Sequence, residues 1–570
     1  MKVAGIILPN PLAEAVRACR SHFVSAFSFS LLINILFLAP AIYMLQVYDR
    51  VLASGGKATL LFVTLGLAVA LITLAGLDAI RGRILVRAGA RLDAILAPQI
   101  MKRMLTSGTR ESVQSMRDLD NIRQAIAGPG STALLDLPWT PIYLLVCFLL
   151  HFWIGVLAVA SIALLLMIAS RNQAATRGAM EQSSQAIAVS HASEQAAALN
   201  AGAIRGLGMI GAIVNRQLAH RSLGIGRQAQ GHFSGSQYAA LTRFLRLFVQ
   251  SAALGLGALL AIAGEISGGA IIAASILMGR ALQPIDLIVG GWSTLTSARA
   301  ALARLAETFA QPFAAERNRT ALPDPEGHLD VENVAVRGAD GRPILVGVSF
   351  SAQPGEILGI VGPSGSGKTT LARVVAGALG ADMGSVRIDG AQRDDWDPDA
   401  LGRHMGYLPQ EPSLLEGSIK ENISRFANWL DADSADIDRN VIAAAKRAGV
   451  HDMILRLPQG YDTQLGPHGA GLSAGQSQRI ALARALYGDP AILIFDEPNA
   501  FLDSEGEAAL MQTIVELREG GATVLLIAHR KSVLEAADRL LVLDGGRPKI
   551  LGPTKDVVVR LSRPGAENAA

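Results

Sequence analysis

Charged residues and cysteines are both scarce in this sequence of 570 residues. Asp, Glu, Lys and Arg supply only 17 % of it, against about 25 % in ordinary soluble domains, whereas hydrophobic residues supply 50 %. This balance disfavours both a disordered chain and a wholly water-soluble one. Cys19 and Cys147 are the only two cysteines. Neither has the spacing of a CxxC motif or of a disulfide framework, so both are interpreted as inert thiols.

Long apolar runs are absent after residue 292 but recur before it. Each run of about 20 residues can cross roughly 30 Å of hydrocarbon. The sequence therefore predicts six membrane spans: Val24–Gln46, Thr59–Leu77, Thr132–Leu150, Ile154–Ser170, Phe244–Gly264 and Gly269–Val289. The first twenty residues lack a compact apolar core followed by a cleavage site, and we expect them to form a cytoplasmic arm.

Basic residues are distributed unevenly between the predicted loops. The stretch between spans two and three holds nine Lys and Arg residues, and residues 171–246 hold eight more. The positive-inside rule therefore places both long loops and both termini in the cytoplasm, where the cations face membrane lipid or water. Residues 1–312 carry 25 basic and 13 acidic residues, whereas the remainder carries 26 and 35. The acidic half has no basic stripe, so nucleic acid is not an expected partner.

The two long loops are rich in Ala, Gln, Ser and Arg, which predicts helices that continue out of the bilayer. Their tips lie near Lys102–Arg117 and Arg205–Arg216. They either contact another part of the protein on the cytoplasmic side of the membrane or are solvated helix ends. Two ionisable residues lie at membrane depth. Asp136, beside two prolines that are expected to start its span, is either a helix-entry or interface residue or part of the lining of a transport path. Arg280, with Asp286 nearby, belongs to a water-filled path or to an ion pair inside the bundle.

A different pattern, short β-branched runs alternating with helical stretches, begins near residue 328 and predicts an α/β domain. Within it, ILGIVGPSGSGKTTLARVV is a strand, a GxxxxGK[ST] loop and a helix. Its glycines let backbone N–H groups wrap phosphates, Lys368 reaches the β- and γ-phosphates, and Thr369 offers its hydroxyl to Mg²⁺. We therefore expect an ATP site at Gly362, Pro363, Ser364, Gly365, Ser366, Gly367, Lys368, Thr369 and Thr370.

Two further strands end in residues that suit ATP hydrolysis. The run AILIFDEP ends in Asp496, which is predicted to hold Mg²⁺, and Glu497, which is placed to polarise the attacking water as general base. The run VLLIAHR ends in His529, which could orient the γ-phosphate.

The tract LSAGQSQRIALARAL stands directly before the ILIFDEP strand, and together with these motifs it resembles the signature of ABC transporter ATPases. The resemblance spans residues 328–565. It implies that Ser473, Gly475 and Gln476 bind the ATP held on a second subunit. It also implies that Gln410 is the Q-loop residue at the metal and the catalytic groups, that Asp503 is the D-loop residue, and that His529 is the switch histidine.

Three tracts of the apolar half resemble the type I secretion ATPases: PAIYMLQVYDRVL, MRDLDNIR and DLPWTPIY. Because only about twenty residues precede the first span, the chain is similar in its layout to exporters of metalloproteases, lipases and S-layer proteins, and we expect no N-terminal peptidase-like domain. The resemblance implies a homodimer in the inner membrane that exports an unfolded protein with an uncleaved C-terminal signal. Its partners would be a periplasmic adaptor and an outer-membrane channel. The alternative is an exporter of lipid, drug or peptide with the same ATPase.

The sequence departs from the family at three places. The strand LDVENVAVRG has no Tyr or Phe where adenine is usually stacked, Ala474 replaces the commoner glycine of the signature, and Pro467 stands near the usual acidic coupling residue. The expected fold class is a six-span helical transmembrane domain of the ABC exporter type fused to an α/β P-loop ATPase domain. We expect an arm at 1–22, a transmembrane domain at 23–310, a linker at 311–327 and a nucleotide-binding domain at 328–565.

Overall fold

The computed structural model describes residues 1–3, 5–107, 110–310, 322–338, 340–430, 433–500, 504–528 and 535–562. The chain forms two compact units, residues 1–313 and 314–570. The described part of the first, the helical unit, contains a small hairpin of β1 (Lys2–Val3) and β2 (Ile6–Ile7), and is otherwise helical. The second, the α/β unit, contains two larger sheets and their helices.

The helices of the helical unit follow one another with short connections. They are α1 (Asn10–Ala18), α2 (Arg20–Leu36), α3 (Ala39–Gln46), α4 (Leu52–Ser54), α5 (Lys57–Ser107), α6 (Arg110–Ala127), α7 (Pro129–Asp136), α8 (Thr140–Leu150), α9 (Phe152–Leu199), α10 (Ala201–Gly206), α11 (Ile210–Ile262), α12 (Gly268–Gly290) and α13 (Trp292–Ala310). Six helical stretches are long and apolar enough to cross a membrane, as the sequence predicts: Arg20–Ser54, Lys57–Thr106, Pro129–Leu150, Phe152–Thr176, Ile210–Ile262 and Gly268–Gly290.

Two of the six spans are broken where a continuous helix was expected. The first changes from α2 to α3 just before Pro40 and then continues through a π-helical turn, Val47–Val51. The third changes from α7 to α8 through a 3₁₀ turn at Leu137–Trp139. Proline lacks the N–H that the preceding turn needs, so a break at this residue is expected. The third span also begins at Pro129, which corrects the expectation that it starts beside Asp136.

The two long loops are helical, as their composition predicts. Helices α5, α9 and α11 contain 51, 48 and 53 residues. At 1.5 Å per residue each is about 70–80 Å long, more than twice the roughly 30 Å of hydrocarbon. Each must therefore leave the bilayer by several turns. The predicted loop tips lie where α5 gives way to α6 and where α10 connects α9 to α11.

A buried polar network joins the first three spans. Arg81 donates to Asp136 Oδ1 at 2.6 Å, to Ser30 Oγ at 2.9 Å and to Asp78 Oδ1 at 2.7 Å. Asn34 donates to the same Asp136 oxygen at 2.9 Å. Arg81 is 6 % exposed. The ion pair between Arg81 and Asp136 therefore compensates for the hydration that both charges lose on burial. Asp136 is thus an anchor between helices.

Arg280 and Asp286 do not pair with each other. The Arg280 guanidinium lies 3.9 Å from the centre of the Phe37 ring and donates to Gln283 Oε1 at 2.9 Å, whereas Asp286 pairs with Arg246 at 3.4 Å. The ion pair considered for Arg280 and Asp286 is therefore wrong. A cation over an aromatic face is the alternative way to keep a charge among apolar helices.

The YDRVL part of the PAIYMLQVYDRVL tract ties the end of the first span to the start of the sixth. Asp49 accepts hydrogen bonds from the Ser267 hydroxyl at 2.5 Å and from the Gly269 N–H at 2.8 Å. A Cβ atom on Gly269 would lie 2.8 Å from the carboxylate, so a larger residue there would displace the Asp49 side chain. Asp49 thus caps α12, whose unpaired N–H groups favour a negative charge.

One hydrophobic core of the helical unit lies where α1, α5, α6 and α13 meet. Leu12, Leu92, Leu119 and Leu305 are among its buried side chains. Asp118, in the MRDLDNIR tract, is 1 % exposed there. It accepts two bonds from Arg304, at 2.8 Å to Nε and 2.6 Å to Nη2. Bidentate geometry makes this the strong form of an ion pair, and it ties α6 to α13.

The α/β unit contains strands β3 to β14. They are β3 (Leu329–Arg337), β4 (Pro343–Ala352), β5 (Ile357–Val361), β6 (Met383–Ile388), β7 (Ala391–Gln392), β8 (Met405–Leu408), β9 (Gly417–Ser418), β10 (Gln464–Leu465), β11 (Ile492–Asp496), β12 (Thr523–Ile527), β13 (Arg539–Asp544) and β14 (Arg547–Pro553). The main sheet has the order β14-β13-β5-β12-β11-β8, in which only β14 is antiparallel to its neighbour. A four-stranded antiparallel sheet has the order β4-β3-β6-β7.

Helices cover the main sheet, whose three central strands are fully buried. The described helices of the unit are α14 (Lys368–Ala376), α15 (Pro398–Arg403), α16 (Ile419–Ile423), α17 (Ser434–Arg447), α18 (His451–Leu455), α19 (Ala474–Leu486), α20 (Ser504–Glu519) and the C-terminal helix Thr554–Ser562. Strands buried on both faces read as continuous apolar runs, which is why ILGIV, ILIFD and TVLLI were recognisable in the sequence.

Replacing Asp118 with Asn should destabilise the helical unit by about 2 kcal/mol, because the buried amide cannot satisfy the Arg304 guanidinium. Asp120 on the same helix provides the matched control, since its ion pair with Arg123 is half exposed and should contribute less than about 1 kcal/mol. Thermal unfolding of the purified protein should give a lower melting temperature for Asp118→Asn than for Asp120→Asn. Equal melting temperatures would show that the Arg304 pair does not stabilise the unit.

Candidate nucleotide-binding and hydrolysis site

The sheet topology gathers the predicted site residues at one edge. Parallel strands end at the same edge of a sheet, and loops that follow them meet there. The glycine-rich loop follows β5, Glu497 follows β11, and Gln410 stands two residues after β8. Strand β12 lies between β5 and β11. Residues far apart in the sequence are therefore neighbours because of strand order alone.

The loop between β5 and α14 needs glycine at two positions. Gly362 has φ 157°, and a Cβ atom there would lie 2.1 Å from the Leu543 carbonyl oxygen. Gly367 has φ 93°, and its Cβ would lie 2.6 Å from the Leu345 side chain. Backbone that approaches its neighbours this closely presents its N–H groups to a ligand. The loop and the first turn of α14 thus form a cradle suited to phosphate.

Lys368 at the start of α14 folds back over this loop. Its ammonium donates to the carbonyl oxygens of Gly362 and Pro363, both at 2.9 Å. The side chain is 6 % exposed. Burial lowers the pKa of Lys368, and the nearby carboxylates of Glu497 and Asp496 oppose that shift. The two loop carbonyls hold a cation at the place where phosphate oxygens would complete its hydrogen bonding.

Asp496 is the most exceptional group of the site. Both carboxylate oxygens are buried and have no well-aligned hydrogen-bond partner in the described part of the chain, although the Thr369 hydroxyl lies close enough to lower the pKa. Burial raises the pKa of Asp496; the Thr369 hydroxyl lowers it, Glu497 adds to the rise, and the cations of Arg373 and Lys368 oppose it. A buried carboxylate without a well-aligned partner costs several kcal/mol (order of magnitude) unless a cation meets it. Asp496 and Thr369 are hard oxygen donors, so this pair fits Mg²⁺.

Glu497 is held in a strained backbone conformation beside Gln410. Its φ is 52°, a left-handed value that costs a glutamate of order 1 kcal/mol. Its N–H donates to the Ile527 carbonyl at 2.9 Å, which continues the pairing of β11 with β12. The Gln410 amide donates to Glu497 Oε2 at 3.1 Å. The carboxylate is therefore positioned by the strand below it and by the loop beside it.

The signature residues lie on a separate element, the first turn of α19. Ser473 caps this helix: its hydroxyl accepts from the Gln476 N–H at 3.3 Å, and its own N–H donates to Gln476 Oε1 at 2.9 Å. Gly475 lies between them. The reciprocal cap leaves an ordered helix N-terminus that favours an anion. These residues form no hydrogen bond with the glycine-rich loop in the described part of the chain.

Two predicted site residues, Asp503 and His529, lie outside the described residues. The other predicted residues Ser364, Gly365, Ser366 and Thr370 lie in the loop and first turn described above, and the Ser366 hydroxyl is buried without a partner in the described chain.

One hydrogen bond at this edge was not predicted from the sequence. Arg484 near the end of α19 donates to the Ser413 carbonyl at 2.8 Å, which ties the segment after Gln410 to the signature helix. The arginine was visible in LARAL, but its distant carbonyl partner was not.

Replacing Lys368 with Ala should weaken nucleotide binding at least tenfold, because a charged hydrogen bond to phosphate is lost. Lys420→Ala is the matched control, since Lys420 on α16 pairs with Asp438 and lies outside the sheet-edge site. Titration with a fluorescent ATP analogue measures both affinities. Unchanged affinity in Lys368→Ala would remove this lysine from the site.

Comparison with known proteins agrees with this geometry. Residues 345–500 match the family model described as ABC transporter. The chain is 40 % identical to the type I secretion system ATP-binding protein PrsD of Rhizobium meliloti (strain 1021), over 97 % of this chain and 95 % of that protein. It is 30 % identical to the toxin RTX-I translocation ATP-binding protein of Actinobacillus pleuropneumoniae, over 95 % of this chain and 77 % of that protein.

A similar match is the leukotoxin translocation ATP-binding protein LktB of Mannheimia haemolytica, 31 % identical over 93 % of this chain and 75 % of that protein. The fold is similar to that of a bacterial Atm1-family ABC exporter with ATP bound, with a TM-score of 0.82 at 24 % identity, covering 97 % and 99 % of the two chains. This likeness confirms the predicted fold class. The chain belongs to the ABC transporters, among the ATP-binding proteins of type I secretion systems.

Proposed function

We propose that this chain hydrolyses ATP to export an unfolded protein with an uncleaved C-terminal signal across the inner membrane. The observation that carries the proposal is the joining of a hydrolysis site to six membrane spans in one chain. The phosphate cradle, the buried carboxylate of Asp496 and the Glu497–Gln410 pair meet at one sheet edge, and six apolar helices precede them.

Each residue of the edge has a distinct task in the proposed reaction. The loop N–H groups, Lys368 and the Ser366 hydroxyl bind the phosphates of ATP. Glu497 accepts the proton of the attacking water as general base, and Gln410 holds the Glu497 carboxylate in place through the 3.1 Å contact. His529 is assigned to the γ-phosphate from its place after β12. Asp496 and Thr369, joined by Gln410, would hold Mg²⁺, which neutralises charge on the phosphates.

Two copies of the chain are proposed to complete the site. Ser473, Gly475 and Gln476 are ordered at the exposed N-terminus of α19, away from the glycine-rich loop of their own chain. A helix N-terminus of this kind suits the γ-phosphate of ATP bound to the partner copy. Asp503 is assigned to the same interface. A homodimer therefore has two composite sites, each built from both chains.

The cargo is proposed to be a protein because the three relatives compared above are named for type I secretion and for the translocation of RTX-I toxin and leukotoxin. A periplasmic adaptor and an outer-membrane channel are the proposed partners, and the inner membrane is the proposed location. An exporter of lipid, drug or peptide is the second candidate, since the ATPase half would be the same. The three tracts of the helical unit favour the protein exporter.

Replacing Glu497 with Gln should lower the rate of ATP hydrolysis at least a hundredfold while ATP still binds, because the amide cannot accept the proton of water. A phosphate-release assay measures turnover, and the fluorescent nucleotide measures binding. Glu411→Gln, one residue beyond Gln410 and outside the proposed chemistry, is the control and should hydrolyse ATP normally. Near-normal hydrolysis by Glu497→Gln would remove Glu497 from the catalytic role.

The Glu497→Gln protein should also retain its partners. If it is solubilised gently from native membranes with ATP present, mass spectrometry of the co-purifying material should find an adaptor and a protein cargo with an intact C-terminus. Recovery of only a lipid or a small molecule would contradict protein export and favour the second candidate.

A further inference from the structure

A groove of about 640 Å³ lies at the corner where α1 meets α2. Its walls are apolar and its mouth is basic. Arg17 and Arg20 stand at the corner, and the apolar lining includes Val16, Phe23, Val24, Phe27 and Leu135. No carboxylate lines the groove. Val24 is 55 % exposed, so the groove presents apolar surface that no other part of the described chain covers.

Buried contacts with α5 hold the corner between α1 and α2 in place. Cys19, between the two arginines, is fully buried, and its thiol contacts the Ala88 carbonyl at 3.6 Å. Leu12 and Ala15 on α1 pack into the core that also contains Leu92 of α5. The opposite face of α1 is therefore held towards the groove, and the two arginines project from a rigid corner rather than from a free arm.

The groove lies at the cytoplasmic boundary of the membrane. Leu135 in its wall precedes Asp136, which pairs with Arg81. Arg81 is the first of the nine basic residues that follow the second span, and such residues mark the cytoplasmic side. Phe27 in the wall lies 4.9 Å from Trp139, ring centre to ring centre. Aromatic side chains of this kind concentrate where hydrocarbon meets water.

The two cations at the mouth are available to a ligand. Arg17 and Arg20 are exposed, and neither forms an ion pair or a hydrogen bond within the described part of the chain. The groove combines two arginines with an apolar lining, and a phospholipid with an anionic headgroup has the complementary charge next to apolar acyl chains. Guanidinium groups bind phosphate with two parallel hydrogen bonds.

We propose that this groove binds an anionic phospholipid of the cytoplasmic leaflet, with its phosphate on Arg17 and Arg20 and its acyl chains along Phe23, Val24 and Phe27. The lipid then covers the exposed apolar wall and joins α1 to the membrane surface. This binding does not depend on which substrate the chain exports, because every residue involved lies in the arm and in the first and third spans.

The test uses the full-length protein reconstituted into vesicles of phosphatidylcholine with about one-tenth phosphatidylglycerol. After re-extraction in mild detergent, mass spectrometry measures how far the retained lipid is enriched in phosphatidylglycerol over the vesicle. Arg17→Gln/Arg20→Gln should lower the enrichment several-fold, towards the composition of the vesicle, since two surface cations are lost. Arg83→Gln/Arg87→Gln is the matched control, because these arginines are also exposed, lie on the neighbouring helix and follow the same boundary.

A second variant tests the apolar part with both arginines intact. Val24→Trp fills the groove and should abolish retention of the lipid. Melting temperature and basal ATP hydrolysis report whether each variant is folded. The proposal is overturned if Arg17→Gln/Arg20→Gln keeps the wild-type enrichment, if the control double variant loses as much, or if folded Val24→Trp still retains phosphatidylglycerol. It is also overturned if wild type retains both lipids in the vesicle ratio.

Discussion

Five neighbouring parallel strands of the α/β unit end at one edge of the sheet, and the chemistry of the molecule depends on that convergence. A parallel sheet places every loop that follows a strand on the same side. The glycine-rich loop, the Asp496–Glu497 pair and Gln410 therefore meet although up to 135 residues separate them in the sequence. The burial of β5, β11 and β12 fixes their positions, because a strand packed on both faces cannot shift register without exposing apolar side chains.

Backbone strain and buried charged groups are concentrated at this edge of the sheet. Asp496 is buried without a well-aligned hydrogen-bond partner in the described chain, Glu497 holds a left-handed φ, and Lys368 is turned onto backbone carbonyls. The first two cost stability in the absence of ligand, and all three groups are placed to act on bound phosphate and a cation. Burial of charged groups in the helical unit has a different result. Arg81 and Asp136 bind each other, so that each buried charge has a partner of opposite sign between the helices.

The sequence predicts local chemistry well and long-range partners poorly. The phosphate loop, the two carboxylates and the signature helix were recognisable because each depends on adjacent residues. The contact between Gln410 and Glu497 depends on strand order, which no short pattern records. Arg81 looked like one more loop cation in the positive-inside count, and only packing shows that it is buried against Asp136. Hydropathy also missed the breaks before Pro40 and at Leu137–Trp139, since apolar residues continue across them.

If ATP hydrolysis at the sheet edge drives protein export through the six spans, loss of hydrolysis must stop the release of particular proteins. The experiment compares the proteins released into the medium by cells that lack this chain, by cells that regain it, and by cells that regain only the Glu497→Gln form. We predict that a small set of proteins disappears from the medium, returns with the wild-type chain and stays absent with the variant. An unchanged set of released proteins in all three, with lipid or small-molecule export altered instead, would contradict it.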